Sequence, residues 1–405
     1  MATDFNWSEM TQAAVLSSFF WGYMATQIPS GLLCKKFGGR NVLLVGVVIW
    51  SIFTLLTPIA AKYASTEYVA IFFAVRIGMG LGEGANFPSA YHLCGQWVPK
   101  NERTRLMTLI NSGTDFGTCT AMLLGPIMTL SMGWQYTFYH FGIMGLVWSV
   151  MFYYNVSERP EDDPSTSQQE REYIHFSNKE SDDDKGDTTV SDKLSGKSSA
   201  RTMFMLLSAK SVWAIIVAQT SYNFGWYILL SYLPKILLSL GIEFEKVGYF
   251  SMLSYLIVII MSNVAAQIAD TLIVRIGWSV EKTRKLMGAI SFLGSSFFYF
   301  LLRFTLHDTA LSVFILCCGI GCGSFCKAGY LSNYVDIAPK YAGILFGLAN
   351  TFASIPGIAG PLVTGMILHH YPVDPWHVVF NIIICSNLIG AFVWQTSAKG
   401  TTQFH

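Results

Sequence analysis

Two charged residues, Arg76 and Glu83, lie in a segment, Val69 to Tyr91, that is otherwise apolar enough to cross a membrane. Even on lenient scales a charged side chain near the bilayer centre costs about 2.5–3.5 kcal/mol, so a span keeps one mainly where it faces a cavity, a pathway or a partner. Seven residues separate the two, which is two helical turns, so they share one helix face. The pair makes transport the first hypothesis.

Each of the two residues suits a different task in moving an anion. The guanidinium of Arg76 offers a fixed fork of donors that matches a carboxylate or a phosphate, and it keeps its charge at working pH. A carboxyl such as Glu83 can bind a proton on one side of a membrane and release it on the other. The alternative is structural, with Glu83 as a static partner for Arg76.

Composition places the chain among integral membrane proteins. Of its 405 residues, 52% are hydrophobic and only 13% are charged, whereas soluble domains carry roughly 25% charged residues. The mean hydropathy is +0.43. The net charge is +1, and the basic residues form short clusters between apolar runs, which argues against a nucleic-acid partner.

Apolar windows of about 19 residues predict an all-α integral membrane fold. The predicted spans number eleven, near 9–34, 41–61, 68–92, 104–129, 134–155, 209–235, 247–271, 285–304, 308–330, 341–369 and 376–396. A charged, serine-rich stretch divides them. The predicted domains are an N-terminal helical bundle at 1–155, a disordered cytosolic linker at 156–205, a C-terminal bundle at 206–397 and a cytosolic tail at 398–405.

An internal repeat supports a duplication of the two halves. A loop with Lys35 and Arg40 follows the first span, and a loop with Asp270 and Arg275 follows the seventh. Parallel repeats of this kind are typical of transporters. The excess of Lys and Arg in these loops predicts that they face the cytosol. If each half holds six spans, the first half lacks its N-terminal one, and the glycosylation sequon at Asn6 lies on the opposite side.

Five stretches resemble, in the right order, the major facilitator superfamily and, within it, the sialin-like solute carrier family 17 anion transporters. They are Phe19–Pro29, Arg76–Gly84, Trp97–Arg105, Asn333–Gly343 and Asn350–Pro361. The resemblance implies twelve helices in two six-helix bundles, with a substrate site between them that opens alternately to each side. The family's first helix is absent here, so we expect about eleven of the twelve transmembrane helices.

The resemblance also implies a function. It is secondary active transport of an organic or inorganic anion, such as sialic acid, an acidic amino acid or phosphate, coupled to H⁺ or Na⁺ and needing no other cofactor. Arg76 matches the family's substrate-linked arginine, and Glu83 matches the glutamate that members use for proton coupling. We expect a monomer among membrane lipid that binds a small anionic solute. Lysosomal, vesicular, plasma and organellar membranes all stay open.

Further candidates for the site come from other spans. Lys327 stands among small and apolar residues, where an ammonium suggests a second contact for the anion, and the alternatives are snorkelling or pairing with an acid. Asp115 either pairs with Lys327, joins proton transfer or is solvated. Tyr222 and Asn223 match the sialin-like pattern and are candidates for hydrogen bonds to the substrate, as is Asn333. Packing is the alternative for Tyr222 and Asn223.

The repeated loop implies a conformational motif in this superfamily rather than a substrate site. Its residues here are Lys35, Arg40, Asp270 and Arg275, and Lys35 replaces the usual acid of the first copy. Asp336 is expected to fix a helix end or to pair with a loop cation.

The alternatives to a transporter are an integral-membrane enzyme and a transport-inactive, truncated membrane protein. The sequence has no nucleophile elbow and no phosphate-cradling loop, which disfavours the enzyme. Cysteines at 318, 322 and 326 share a helix face but have no histidine beside them, so no metal site is predicted.

Overall fold

The computed structural model describes residues 7–63, 69–99, 103–183, 203–305, 308–338, 342–371 and 374–404. Asn6 of the predicted sequon and residues 184–202 of the predicted linker lie outside these ranges, and so does the side chain of Lys35. Throughout the described ranges the secondary structure is helical, without a strand. The all-α fold predicted from the sequence is therefore confirmed.

The first half consists of six helices in chain order. They are α1 (Glu9–Phe37), α2 (Gly39–Tyr63), α3 (Val69–Glu83), α4 (Asn86–Trp97), α5 (Arg103–Met132) and α6 (Trp134–Asn155). The side chain of Ser8 accepts a hydrogen bond from the Thr11 N–H at 3.1 Å and so caps the start of α1. α1 ends at Gly38, whose φ of 81° is unstrained only for glycine.

In the second half, the structure describes eight α-helices between Lys210 and Ser397, and some of them follow each other within one predicted span. They are α8 (Lys210–Ser239), α9 (Phe244–Asp270), α10 (Val280–Ala289), α11 (Ser295–Leu301), α12 (Thr309–Gly323), α13 (Tyr330–Ile337), α14 (Ala342–His370) and α15 (Pro375–Ser397). A π-helical turn, Ile290–Gly294, joins α10 to α11, and a 3₁₀ turn, Ser324–Lys327, follows α12. Side chains of Ser279 and Asp308 cap α10 and α12.

Each of the predicted spans corresponds to one helix or to two successive helices. The pairs are α3 with α4, α10 with α11, and α12 with α13. Within the described ranges, six segments are long and apolar enough to cross a membrane by length and composition, namely Gly39–Lys62, Phe244–Arg275, Val280–Phe304, Thr309–Ile337, Ile344–His370 and Pro375–Ser397. Exposed apolar side chains such as Trp21, Val147 and Phe392 suit helices that face lipid.

The two halves meet along two helix pairs, α1 with α14 and α5 with α9. Counted from the repeated loop, α1 corresponds to α9 and α5 to α14, so one contact repeats the other. Glycines allow the close approach: a Cβ on Gly357 would lie 2.6 Å from the Phe20 ring, and one on Gly248 would lie 3.0 Å from the Leu123 carbonyl oxygen. This geometry is that of two bundles that can rock against each other.

A further helix, α7 (Gln168–Asp183), lies inside the segment predicted to be disordered. The Ser167 hydroxyl accepts a hydrogen bond from the Glu170 N–H at 3.2 Å, and Arg171 donates to the carbonyl of Asp163. Ile174 is buried. An N-cap and a buried apolar side chain therefore support a helix over residues 168–183 of the predicted linker, while the division of the chain into domains stays a prediction.

Candidate functional site

Arg76 and Glu83 lie in a predicted span whose helix is interrupted immediately after Glu83. α3 ends at Glu83, Gly84 and Ala85 form a turn, and α4 begins at Asn86. The Ala85 N–H bonds to the carbonyl of Gly82 at 3.4 Å, a tightened last turn. Interrupted helices are where transporters commonly place their binding sites.

The corresponding span of the second half, formed by α12 and α13, is also interrupted. α12 ends at Gly323, the 3₁₀ turn runs to Lys327, and α13 begins only at Tyr330. Lys327 thus stands at the second break as Glu83 stands at the first. The glycine clusters of both spans were a sequence signal for these breaks, but the sequence analysis did not predict them.

Glycines seat α1 directly against the helix that carries the charged pair. A Cβ on Gly80 would lie 2.7 Å from the backbone nitrogen of Tyr23, and one on Gly22 would lie 2.7 Å from that of Leu81. At the break, a Cβ on Gly84 would lie 2.5 Å from the Tyr23 carbonyl oxygen. Because the obstacles are backbone atoms, only glycine permits this distance between α1 and α3.

The contact places an aromatic face beside Arg76. Its guanidinium carbon lies 5.6 Å from the centre of the Phe19 ring, and one terminal nitrogen lies 4.0 Å from the Met79 sulfur. Among the residues that the structure describes, Arg76 forms no ion pair, and its buried Nε has no hydrogen-bond partner. A buried, unsatisfied cationic donor is unfavourable without a ligand or water, which disfavours the static-pair alternative.

Glu83 faces the boundary between the two halves. It is partly buried, and its electrostatic neighbours are Arg76, Tyr23 of α1 and Tyr227 of α8. The Tyr227 ring packs on the Phe20 ring with centres 4.6 Å apart, which closes the gap between α8 and α1. Glu83 therefore has neighbours in both halves of the protein, and Arg76 lies two helical turns before it in the same helix.

A chain of buried polar side chains crosses the same boundary. The Asn350 amide donates to Gln27 Oε1 at 2.9 Å, and the Gln219 amide donates to Asn350 Oδ1 at 3.2 Å. The Tyr334 hydroxyl donates to Gln219 Oε1. The sequence analysis did not name Gln27, Gln219 or Asn350 as site residues, although an amide side chain inside an apolar span is itself a sequence signal.

Lys327 and Asp115 form an ion pair between the second break and α5. The pairing of Asp115 with Lys327, one of the alternatives given for these residues from the sequence, is therefore present. Tyr222 lies next to them, with its ring centre 6.2 Å from that of Tyr330 and 6.1 Å from that of Trp226.

Two of the predicted substrate contacts, Asn223 and Asn333, have hydrogen-bond partners within the protein, and their contact with a substrate stays a prediction. The Asn223 amide donates to the Ala353 carbonyl at 3.0 Å and so fastens α8 to α14. The Asn333 amide donates to the Lys399 carbonyl at 2.9 Å and to Asp336 Oδ2 at 3.3 Å. The C-terminal tail therefore lies against Asn333 in α13.

In the first copy of the repeated loop, Arg40 donates to the carbonyls of Val156 and Tyr153. Beside this loop, Glu158 accepts hydrogen bonds from the backbone N–H groups of Gly39 at 2.9 Å and Arg40 at 2.8 Å. Glu158 was not predicted, because it is more than a hundred residues away in sequence.

In the second copy of the loop, Asp270 and Arg275 are exposed, and neither has a hydrogen bond or an ion pair within the described part of the chain. Their role in the conformational motif stays a prediction. Instead, Arg284 pairs with Asp336 at 2.8 Å and also donates to the Ala328 carbonyl at 2.9 Å. Asp336 does pair with a cation, as expected.

The sequence matches a family model described as Major Facilitator Superfamily over residues 1–361. It is 35% identical over 401 residues to the ascorbate transporter, chloroplastic, of Arabidopsis thaliana, which covers 99% of this chain and 70% of that protein. It is 34% identical over 400 residues to sialin of Ovis aries, which covers 98% and 77%. It is 34% identical over 403 residues to sodium-dependent phosphate transport protein 1, chloroplastic, of Arabidopsis thaliana, which covers 99% and 74%.

Solved structures share the fold at low sequence identity. The crystal structure of a D-xylose-proton symporter superposes with a TM-score of 0.74 at 16% identity, covering 98% of this chain and 90% of that one. An inward-facing, unoccupied bacterial homologue of the human lysosomal transporter Spinster superposes with a TM-score of 0.70 at 15% identity, covering 98% and 90%.

Proposed function

Because the chain belongs to the Major Facilitator Superfamily, we propose that it carries a small anion by alternating access, with Arg76 binding the anion and Glu83 exchanging a proton. The chain is an integral multi-pass membrane protein and a transporter rather than an enzyme. The relatives named for ascorbate and phosphate support an anion as substrate. The particular anion among carboxylates and phosphate is left to experiment.

The observation that carries this proposal is the state of Arg76. Its guanidinium lies against the Phe19 ring of α1, with no acid bound to it in the described residues and with its buried Nε unsatisfied. A permanent cation inside a membrane span costs about 2.5–3.5 kcal/mol or more. An entering carboxylate or phosphate supplies both the missing charge and the missing acceptors.

The charges at the site explain why a proton accompanies the anion. When the site is empty, Arg76 and an ionised Glu83 sum to zero. A bound monoanion brings the sum to −1, and one proton on Glu83 restores zero. Net charge is costly to move through a low-dielectric interior, so the empty state and the anion-plus-proton state are the two that rearrange readily. This supports symport with H⁺, and Na⁺ is the alternative coupling ion.

The bundle contacts support how the site opens. α1 with α14 and α5 with α9 form repeated contacts between the halves, and Glu9 of α1 binds Lys235 of α8 at 2.7 Å on the side opposite the predicted cytosol. Opening to that side requires this ion pair to separate. We also propose that one chain suffices, because two bundles of a single chain enclose the site.

The test is uptake into proteoliposomes of purified protein. The probes are radiolabelled ascorbate, inorganic phosphate, N-acetylneuraminate and glutamate, each with an inward proton gradient. We expect uptake of at least one, and we expect Arg76→Gln to lower that uptake by a factor matching about 2–5 kcal/mol. Arg303→Gln is the matched control, since Arg303 is exposed at a helix end. Undiminished uptake by Arg76→Gln would refute the role of Arg76.

A further inference from the structure

A second pair of opposite charges joins the two halves, separate from Arg76 and Glu83. The Lys327 ammonium donates to Asp115 Oδ2. Asp115 belongs to α5 of the first half, whereas Lys327 ends the 3₁₀ turn between α12 and α13 of the second half. A bond between two bodies that rock apart must break in each cycle, so something must replace it.

The pair is unequal in its exposure. The Lys327 side chain is 31% exposed and the Asp115 side chain only 12%. α13 (Tyr330–Ile337), of 8 residues and so about 12 Å long at 1.5 Å per residue, lies between Lys327 and the helix end. That distance disfavours snorkelling to the bilayer surface, and the ammonium is bound by an acid instead. The cation is the accessible member of the pair and the carboxylate is the enclosed one.

The surroundings of Lys327 offer hydroxyl groups on an aromatic wall. The Cys326 thiol is a near neighbour of Tyr222 and Tyr330, and a Cβ on Gly323 would meet the Tyr222 ring at 3.2 Å. α8 carries both Tyr222, beside this pair, and Tyr227, beside Glu83. One helix thus borders both charged groups.

We propose that Lys327 is a second contact for the transported anion and that Asp115 is the counter-ion which the anion displaces from it. This rests on the proposed function, because the anion must enter between the halves. An anion that contacts both Arg76 of α3 and Lys327 of the second half replaces the Asp115–Lys327 ion pair between the bundles by its own bonds. The chemistry favours a carboxylate or phosphate with further polar groups, such as a hydroxylated acid.

Competition between Asp115 and the anion gives the expected effects their direction. Asp115→Asn leaves Lys327 charged and removes the competing carboxylate, so the anion binds more tightly. Lys327→Met removes the contact, so the anion binds more weakly. In the double variant no competitor and no cation remain, so Asp115→Asn loses its effect. A purely structural ion pair predicts instead that both single variants lose stability and that neither changes affinity in this opposed way.

The experiment measures binding and transport separately. Purified protein in detergent is titrated with ascorbate, inorganic phosphate or N-acetylneuraminate, each alone, and the half-saturating concentration is read from the shift of the unfolding temperature. Uptake of the same three anions is measured in proteoliposomes. Lys246→Met and Glu243→Gln are charge-matched controls, because that ion pair is exposed and within one segment.

We expect Asp115→Asn to lower the half-saturating concentration about tenfold and Lys327→Met to raise it about tenfold, the size of a 1.4 kcal/mol change. The double variant should match Lys327→Met, which also keeps the test valid if one single variant folds poorly. The proposal is overturned if Asp115→Asn binds like the parent, or if it responds to none of the three anions. Binding that follows this pattern without any uptake would support the second contact and sink the transport function.

Discussion

At Gly80, a single added methyl group should move α1 away from α3, the helix that carries Arg76 and Glu83. In Gly80→Ala the new Cβ would lie 2.7 Å from the Tyr23 nitrogen and closer still to the Phe19 carbonyl oxygen, whereas ordinary contact begins at 3.4 Å. The obstacles are backbone atoms of α1, so α1 and α3 must move apart by at least about 0.7 Å. Phe19, which lies against Arg76, moves with α1.

The expected magnitudes follow from that displacement. Overpacking of this kind costs about 1–3 kcal/mol, against roughly 1 kcal/mol gained when alanine replaces glycine in a helix. We expect net destabilisation, and we expect anion uptake to fall about tenfold or more, since misplacements on the order of 1 Å suffice for such losses.

The assay is uptake in proteoliposomes at equal amounts of inserted protein, together with thermal unfolding in detergent. Gly31→Ala is the matched control, because Gly31 lies in α1 and a Cβ there meets nothing within 4 Å. Gly31→Ala should be neutral or slightly stabilising and should transport normally. If Gly80→Ala behaves like Gly31→Ala in both assays, the reasoning from helix proximity is wrong.

Two further predictions concern the helix ends on the predicted cytosolic side. Asp336→Asn leaves the mostly buried Arg284 without its acid, so we expect a loss of about 3–5 kcal/mol in thermal unfolding, partly recovered in the Arg284→Met double variant; an unchanged unfolding temperature would contradict this. Glu158→Gln weakens the cap on α2, and we expect a loss of about 1 kcal/mol, whereas Glu243→Gln, at an exposed ion pair, should lose less.

The membrane spans could be predicted because apolar length decides them. Each predicted span has a counterpart among α1–α6 and α8–α15, and Arg76 and Glu83 were found because charge in such a segment is rare. The breaks at Gly84 and Gly329 were missed because glycine clusters are also explained by close packing, as at Gly80. Sequence spacing alone does not distinguish the two.

Contacts between distant segments account for the other differences. Glu158 contacts the start of α2 because the segment after α6 returns to it. The C-terminal tail returns to the end of α13, where the Gln403 N–H bonds to the Ile337 carbonyl at 2.8 Å, and this contact was not predicted. Which partners meet across such separations depends on tertiary packing, and one sequence does not show it.

The central claim is that Glu83 takes up a proton in the same cycle in which Arg76 binds the anion. The most direct measurement follows anion and proton fluxes together in proteoliposomes, using the probe that the parent protein transports best. We predict anion-dependent proton entry in the parent, and in Glu83→Gln we predict counterflow of anion with no proton entry and no accumulation driven by a pH gradient. Anion-dependent proton entry that persists unchanged in Glu83→Gln, or accumulation that requires Na⁺ alone, would contradict the account.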